Sequence, residues 1–310
     1  MKNLHVLLVR AMCEYRCIFC LMGGVKHVAE REALLPQVDY QEEWERIEKM
    51  LHEGTDDPEN TALHFMGNDP IHYPDIVRAV RLGRSIGFRS IVLETNALKL
   101  ESPEFTAEVV EAGTTGFKIP IYGSCAPTHD ELVRLPGAFD RLMAAFENLW
   151  KYPVDVELNA LILKQNAADL PKCRFRYPIG FRFPFRHVEA DYPYDYYTPR
   201  LFDVPGLVLF RSDLVIPCIN GKRTQAPLEE ARVRPGSPEQ PNTDPHSTRG
   251  RPTKCNADNC PDFHHCQGIF LPYLEVYGED EFEYRPDVAP VLLDFCCRRT
   301  NVFDGKKRPR

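Results

Sequence analysis

Short apolar, β-branched runs alternate with stretches of helical period from residue 4 to about 190. That is the pattern of repeated βα units around a parallel sheet. His5-Val6-Leu7-Leu8-Val9 reads as the first strand, and Gln41 to Glu53 as a helix closed by Gly54. Ala62 to Met66 is the second strand, followed by a helix over 75–86 that stops at Gly87. Ser90 to Glu94 is the third, with a helix near 103–112 ended by Gly113. Phe117 to Ile121 makes a fourth, although Pro120 brings no N–H to a central ladder, and a helix from Ala138 to Trp150 follows. Val154 to Leu163 and Ile179 to Phe185 complete six strands. Six such units suit an α/β fold, either an open doubly wound sheet or a partial barrel. No Gly-x-Gly-x-x-Gly follows the first strand, so dinucleotide binding loses its main support.

The pattern then breaks. Residues 226–254 are dominated by Pro, Ser, Thr, Arg and Gly without hydrophobic period, and read as a long flexible insert. The chain thus divides into a main domain over 1–200 and a C-terminal extension over 201–310. At 43% apolar and 27% charged, disorder of the whole is excluded. A net charge of −7 argues against general nucleic-acid binding, which calls for a basic face. No apolar run approaches the roughly 20 residues of a membrane span, and residues 1–30 lack a signal-peptide core. A cytoplasmic protein is expected.

Eleven cysteines in such a compartment point to metal or redox chemistry rather than disulfides. Cys13, Cys17 and Cys20 form one group, spaced Cys-x3-Cys-x2-Cys directly after the first strand. Three thiolates of one loop can hold three irons of a [4Fe–4S] cluster and leave the fourth open to an outside ligand. A zinc site with a distant fourth ligand, or three buried thiols, are the alternatives.

This loop resembles the signature of the radical S-adenosylmethionine (SAM) superfamily, in which an aromatic residue, here Phe19, precedes the last cysteine. The resemblance extends through about residue 190. Gly67-Asn68-Asp69-Pro70 stands where the family has Gly-Gly-Glu-Pro, a segment that binds the amino end of SAM; Asn68 and Asp69 replace Gly and Glu. His72-Tyr73-Pro74-Asp75-Ile76 is similar to the His-Pro-Asp-Ile that follows, and Thr95-Asn96-Ala97 to Thr-Asn-Gly after the third strand. His129-Asp130 and Pro136-Gly137-Ala138-Phe139 resemble a His-Asp and Pro-Gly-Ser-Phe pair after the fourth. All these positions fall at the carboxyl ends of strands, where ligands bind in α/β folds.

The resemblance implies a partial (β/α)6 TIM-like barrel and an enzyme that reductively cleaves SAM to a 5′-deoxyadenosyl radical, which abstracts hydrogen from substrate. It implies SAM contacts at Phe19, Gly67, Asn68, Asp69, Pro70, Thr95, Asn96, Ser124 and Asn159, with Asn166 a further candidate for the ribose. A flavodoxin- or ferredoxin-type reductase would donate the electron. The substrate would be a peptide or small molecule, with peptide or natural-product maturation favoured. The chain starts at strand one, which leaves no room for a leader-peptide recognition domain in front of the barrel and makes a self-sufficient peptide maturase less expected, while a separate recognition partner is compatible with a peptide substrate. Cys125 could return a hydrogen atom to a substrate radical, or simply fill space.

The second group, Cys255-x4-Cys260-x5-Cys266, with Cys218 upstream, resembles the SPASM and twitch auxiliary-cluster extensions, though with x4 where they have x2. A second [4Fe–4S] cluster on Cys218, Cys255, Cys260 and Cys266 is expected, with Cys296 or Cys297 as alternatives to Cys218. A zinc knuckle using His264 or His265 competes with it. Arg182, Arg186, His187 and Glu189, and the aromatic run from Tyr192 to Tyr197, are candidates for a pocket wall. From a different class, a non-catalytic iron–sulfur or zinc protein, an electron carrier or adaptor, would not need Gly67–Pro70 or Thr95-Asn96 at strand ends.

Overall fold

The computed structural model describes residues 2–20, 30, 32–184, 192–204, 249–250, 252–253, 255 and 268–282. Strands β1 (Lys2–Leu8), β2 (Thr61–Gly67), β3 (Ser90–Glu94), β4 (Gly116–Pro120), β5 (Asp155–Leu161) and β6 (Ile179–Arg182) form one sheet in the order 1-2-3-4-5-6. The four pairings from β1 to β5 are parallel. Sequential order with parallel neighbours is the order of a (β/α) barrel opened between its first and last strands. Between the strands run helices α1 (Tyr40–Glu53), α2 (Ile76–Ile86), α3 (Pro103–Glu111), α4 (Ala126–Val133) and α5 (Ala138–Leu149). Helix α4 was not expected from the sequence: it is short, and Pro127 sits at its start, where a missing N–H costs nothing.

Pro120 is accommodated for a local reason. The last β3–β4 rung is Glu94 with Lys118, so Pro120 lies past the end of β3 and leaves no ladder bond unmade. The next residue, Ile121, donates to Asn159 O on the β5 side at 2.9 Å. Strand six ends at Arg182, earlier than the Phe185 expected.

By contact the chain divides into two compact units. The first holds residues up to Ala160, Lys172–Ile179 and Tyr192. Its sheet has two unlike faces. Val6, Leu8, Leu63, Phe65, Ile91, Leu93, Phe117, Ile119, Val156 and Leu158 are buried on one. Helix packing sets their character: a Cβ on Gly83 of α2 would lie 2.8 Å from a Leu63 methyl and 3.2 Å from one of Ile91. Residues in between, among them Glu94, Lys118, Glu157 and Asn159, are half-buried on the other face. The second unit contains helices α6 (Tyr194–Tyr197) and α7 (Leu271–Tyr277) and the two-residue strands β7 (Arg249–Gly250) and β8 (Ile269–Phe270), which pair antiparallel. At its centre Tyr273 accepts from Leu201 N at 2.8 Å and donates to the buried Glu281 carboxylate. Among the described residues no helix is long and apolar enough to cross a membrane.

Candidate cofactor and metal site

The cysteine loop leaves the carboxyl end of β1 and is held from four directions. Asn68, at the end of β2, donates its side-chain amide to Val9 O at 2.8 Å and Ala11 O at 3.0 Å, while its backbone N–H reaches Leu8 O at 3.3 Å. Arg141 of α5 grips both oxygens of Glu14, at 2.6 and 3.1 Å. Arg16 donates its backbone N–H to Val133 O of α4 at 2.8 Å, and its guanidinium pairs with Glu32 at 2.6 Å and donates to Cys13 O. Asn96 points its amide at Cys13 Sγ, 3.9 Å away. The three thiols are free, in no disulfide, and half-buried. Burial, with the neighbouring Asp69 adding to it, pushes the Cys13 thiol up to about 12, and burial raises Cys17 well above its ordinary value. Ligation needs thiolates, so a metal would displace those protons.

Beside the loop lies a cradle at the ends of β2 and β3. Gly67 has φ +127°, and a Cβ there would stand 2.9 Å from three backbone atoms of Leu8, so the strand end approaches β1 as only glycine permits. Asp69 is fully buried. Its Oδ1 accepts the Thr95 hydroxyl; its Oδ2 has no hydrogen-bond partner. Burial raises the Asp69 carboxyl to about 7, against the pull of the Thr95 hydroxyl and of the Ile71 and Asn96 backbone N–H groups. His72 Nε2 stands 3.2 Å from Glu14 Oε1 and 3.7 Å from Asp69 Oδ2, aligned as a hydrogen bond with neither. Pro70 starts the 3-10 turn that carries His72. Thr95 and Asn96 also cap the turn after β3, accepting from Ala97 N and Leu98 N at 3.0 Å each. Ala97 adopts the left-handed conformation, φ 65°, where the family pattern has glycine.

The segment after β4 closes the far side. His129 is fully buried, with Nδ1 accepting from Tyr122 N at 3.1 Å, so the ring proton sits on Nε2 and is donated to Tyr15 Oη at 3.1 Å. Burial holds His129 down to about 4. Phe19 packs edge-on against Tyr122, ring centroids 4.7 Å apart. Asp130 caps α5, accepting from Gly137 N at 2.7 Å and Phe139 N at 2.8 Å. Ser124 and Cys125 are half-buried just before α4, Cys125 Sγ lying 3.7 Å from Thr128 Oγ1. Asn159, at the end of β5, has a buried Oδ1 without a partner. Asn166 is spent locally: its amide accepts from Leu163 N at 2.8 Å and donates to Leu161 O at 2.9 Å.

These residues fit the groups the loop implies. Among the described residues no three His, Cys, Asp or Glu side chains gather as a single-ion site requires. A [4Fe–4S] cube takes each cysteine at a different iron, so its ligands need not converge on one point. The bare, buried Asp69 Oδ2 suits an amine donor, because an unpaired buried acceptor costs about 1–3 kcal/mol. Cys255 is half-buried, its N–H bonded to Pro252 O at 2.9 Å. Cys218, Cys260, Cys266, Cys296, Cys297, His264, His265, Arg186, His187 and Glu189 lie outside the described residues, as does the 226–254 insert except for its short run at 249–250 and 252–253. The roles of Glu14, Arg141, His72 and Tyr15 were not read from the sequence. Glu14 and Tyr15 sit inside the cysteine spacing and His72 in the segment similar to His-Pro-Asp-Ile, whereas Arg141 carries no local signal.

The radical SAM superfamily profile matches residues 9–173, more than half of the chain. The chain belongs to that superfamily, which implies a [4Fe–4S] cluster and SAM as its cofactors. Among curated proteins, the AdoMet-dependent heme synthase of Methanosarcina barkeri is 34% identical over 162 residues, 52% of this chain and 43% of that protein. The protein of the same name from Oleidesulfovibrio alaskensis is 28% identical over 107 residues, 34% of this chain and 27% of its own length. This chain therefore spans less than half the length of these relatives. Among solved structures, Streptococcus suis SuiB bound to S-adenosylmethionine aligns over 61% of this chain and 42% of its own at 13% identity, TM-score 0.44. The structure of anSMEcpe with AdoMet and a peptide aligns over 65% and 56% at 14% identity, TM-score 0.46.

Proposed function

We propose that this chain is a SAM-cleaving radical enzyme built on a partial (β/α)6 barrel, in which Cys13, Cys17 and Cys20 hold three irons of a [4Fe–4S] cluster. The single observation that carries this reading is Asp69 Oδ2, a buried acceptor without a partner beside the cysteine loop. It is matched to the amino group of SAM. When bound, the reduced cluster and SAM supply homolytic cleavage of a carbon–sulfur bond and so a radical that abstracts hydrogen. The protein's own residues bind and align. Thr95 fixes the Asp69 carboxylate, Asn68 and Arg141 hold the loop in register with it, and Gly67 and Pro70 shape the turn between. Asn96 steadies Cys13, Phe19 and Tyr122 exclude water from the loop, and Ser124 and Asn159 offer polar atoms to the ribose. Cys125 is retained as a hydrogen-atom donor.

In the C-terminal part, Cys218, Cys255, Cys260 and Cys266 form a SPASM- or twitch-like auxiliary cluster, supported by their clustering in sequence. A small flavodoxin- or ferredoxin-type reductase delivers the electron in a reducing, cytoplasmic setting that keeps the thiols free. The substrate is a peptide or small molecule. The name of the curated relatives supports a second reading, a heme precursor.

Anaerobic reconstitution of the full chain tests both levels. Conversion of SAM to 5′-deoxyadenosine on reduction, lost in Cys17→Ala, is the expected result; bound zinc without iron overturns it. About eight irons per chain support two clusters and about four support one.

A further inference from the structure

Among the described residues the two faces of the sheet differ in character, one apolar and the other polar and charged. A parallel sheet covered on both faces carries apolar residues on both. Here the face opposite the buried apolar rows bears His5 beside His64 on one rung, and Glu94, Lys118 and Glu157 along another, across three neighbouring strands. Lys118 Nζ donates to Glu94 Oε1 at 3.1 Å. His64, 7% exposed, has Nδ1 3.4 Å from the same oxygen but no hydrogen-bond partner there. Asn159, two residues beyond Glu157 on the same face, adds a buried Oδ1 without a partner. Setting charges into the centre of a sheet costs free energy unless water or a ligand meets them. The formal balance is two carboxylates against one ammonium, so the row has an excess of acceptors. It is also continuous with the candidate cofactor site, because Glu94 directly precedes Thr95, whose hydroxyl holds Asp69.

We propose that this row is the substrate floor and that it takes a ligand presenting N–H donors or positive charge, an amine or a guanidinium. The proposal rests on the SAM-cleaving reading for its term "substrate", but not for the binding itself. An amine bound across Glu94 and Glu157 lies next to the cofactor cradle, the proximity that hydrogen abstraction needs. A polyanionic ligand meets the wrong charge.

The test uses the full chain, reconstituted anaerobically and loaded with SAM, in equilibrium dialysis at low salt. The probes are n-butylamine, n-butylguanidine, n-butyrate and N-acetyl-lysine amide. Amine and guanidine are expected to bind about tenfold tighter than butyrate. Glu157→Gln should weaken them by about tenfold or more, as loss of one charged hydrogen bond does. Lys118→Met removes the competing cation and should tighten them, a gain that a merely structural lysine would not produce. Glu94→Gln serves as a second acid variant, with the unfolding midpoint measured for each. Tighter binding of N-acetyl-lysine amide than of butylamine assigns the floor to a peptide side chain, and the reverse to a small amine. Butyrate binding as well as the amines, or affinities indifferent to all three substitutions, overturns the proposal. Iron and SAM content are read in the same samples. A chain that binds amines but holds neither iron nor SAM loses the cofactor reading and keeps the floor, and the converse result loses the floor alone.

Discussion

A carboxylate with one oxygen bonded and the other bare is costly inside a protein, and Asp69 is kept so at full burial. Asp69→Asn preserves the oxygen that accepts from Thr95 and removes the charge. We expect it to raise the unfolding midpoint of the metal-free chain at neutral pH while weakening SAM binding about tenfold, with iron content retained. Dialysis of labelled SAM and thermal unfolding measure the two effects. Ala97 poses the opposite case. Its left-handed backbone costs about 1–2 kcal/mol for any residue with a Cβ, whereas its buried methyl returns about 0.8 kcal/mol. Ala97→Gly should therefore leave stability unchanged or raise it slightly in urea titration, where a helical Ala→Gly would lose about 1 kcal/mol.

At the scale of elements, α4 and the start of α5 act as a clamp on the cysteine loop. The His-Asp and Pro-Gly-Ala-Phe pairs, noticed in the sequence as a likeness, have a mechanical meaning in the fold: Asp130 caps the helix that Gly137 and Phe139 begin. Asp130→Ala should cost about 1–2 kcal/mol in urea unfolding, the value of a lost cap, and slow iron incorporation by loosening α5, whose Arg141 grips Glu14. Its neighbour sets a pH dependence. Burial lowers His129 from 6.5 to about 4, so between those values the unfolded chain alone takes up the proton. Its contribution is whole above pH 6.5 and is lost as pH falls toward 4, by about 3 kcal/mol at most. His129→Gln should flatten that slope in unfolding curves recorded from pH 7 to 4, while lowering stability at pH 7.

Over the whole molecule, the first five strands lie within three residues of their expected places, because alternation and turn residues are local signals. What escaped the sequence is long-range. Asn68 reads as a poor substitute for glycine until its amide is seen spanning to Val9 and Ala11. Glu14 and Arg141 are 127 residues apart. Lys118 inside an apolar run and His64 inside another look like isolated blemishes, and come to share one face, on neighbouring rungs, only when β2, β3 and β4 are set in register. By itself the chain determined the kind and succession of its elements and the intervals between three thiols, since backbone period and ligand spacing are properties of neighbouring residues. Which carboxylate stands bare, which amide ties the loop, and which charges share a face were decided by the tertiary structure alone. Those are relations between strands and loops distant in sequence, and they exist only once parallel pairing has brought the strand ends to one rim.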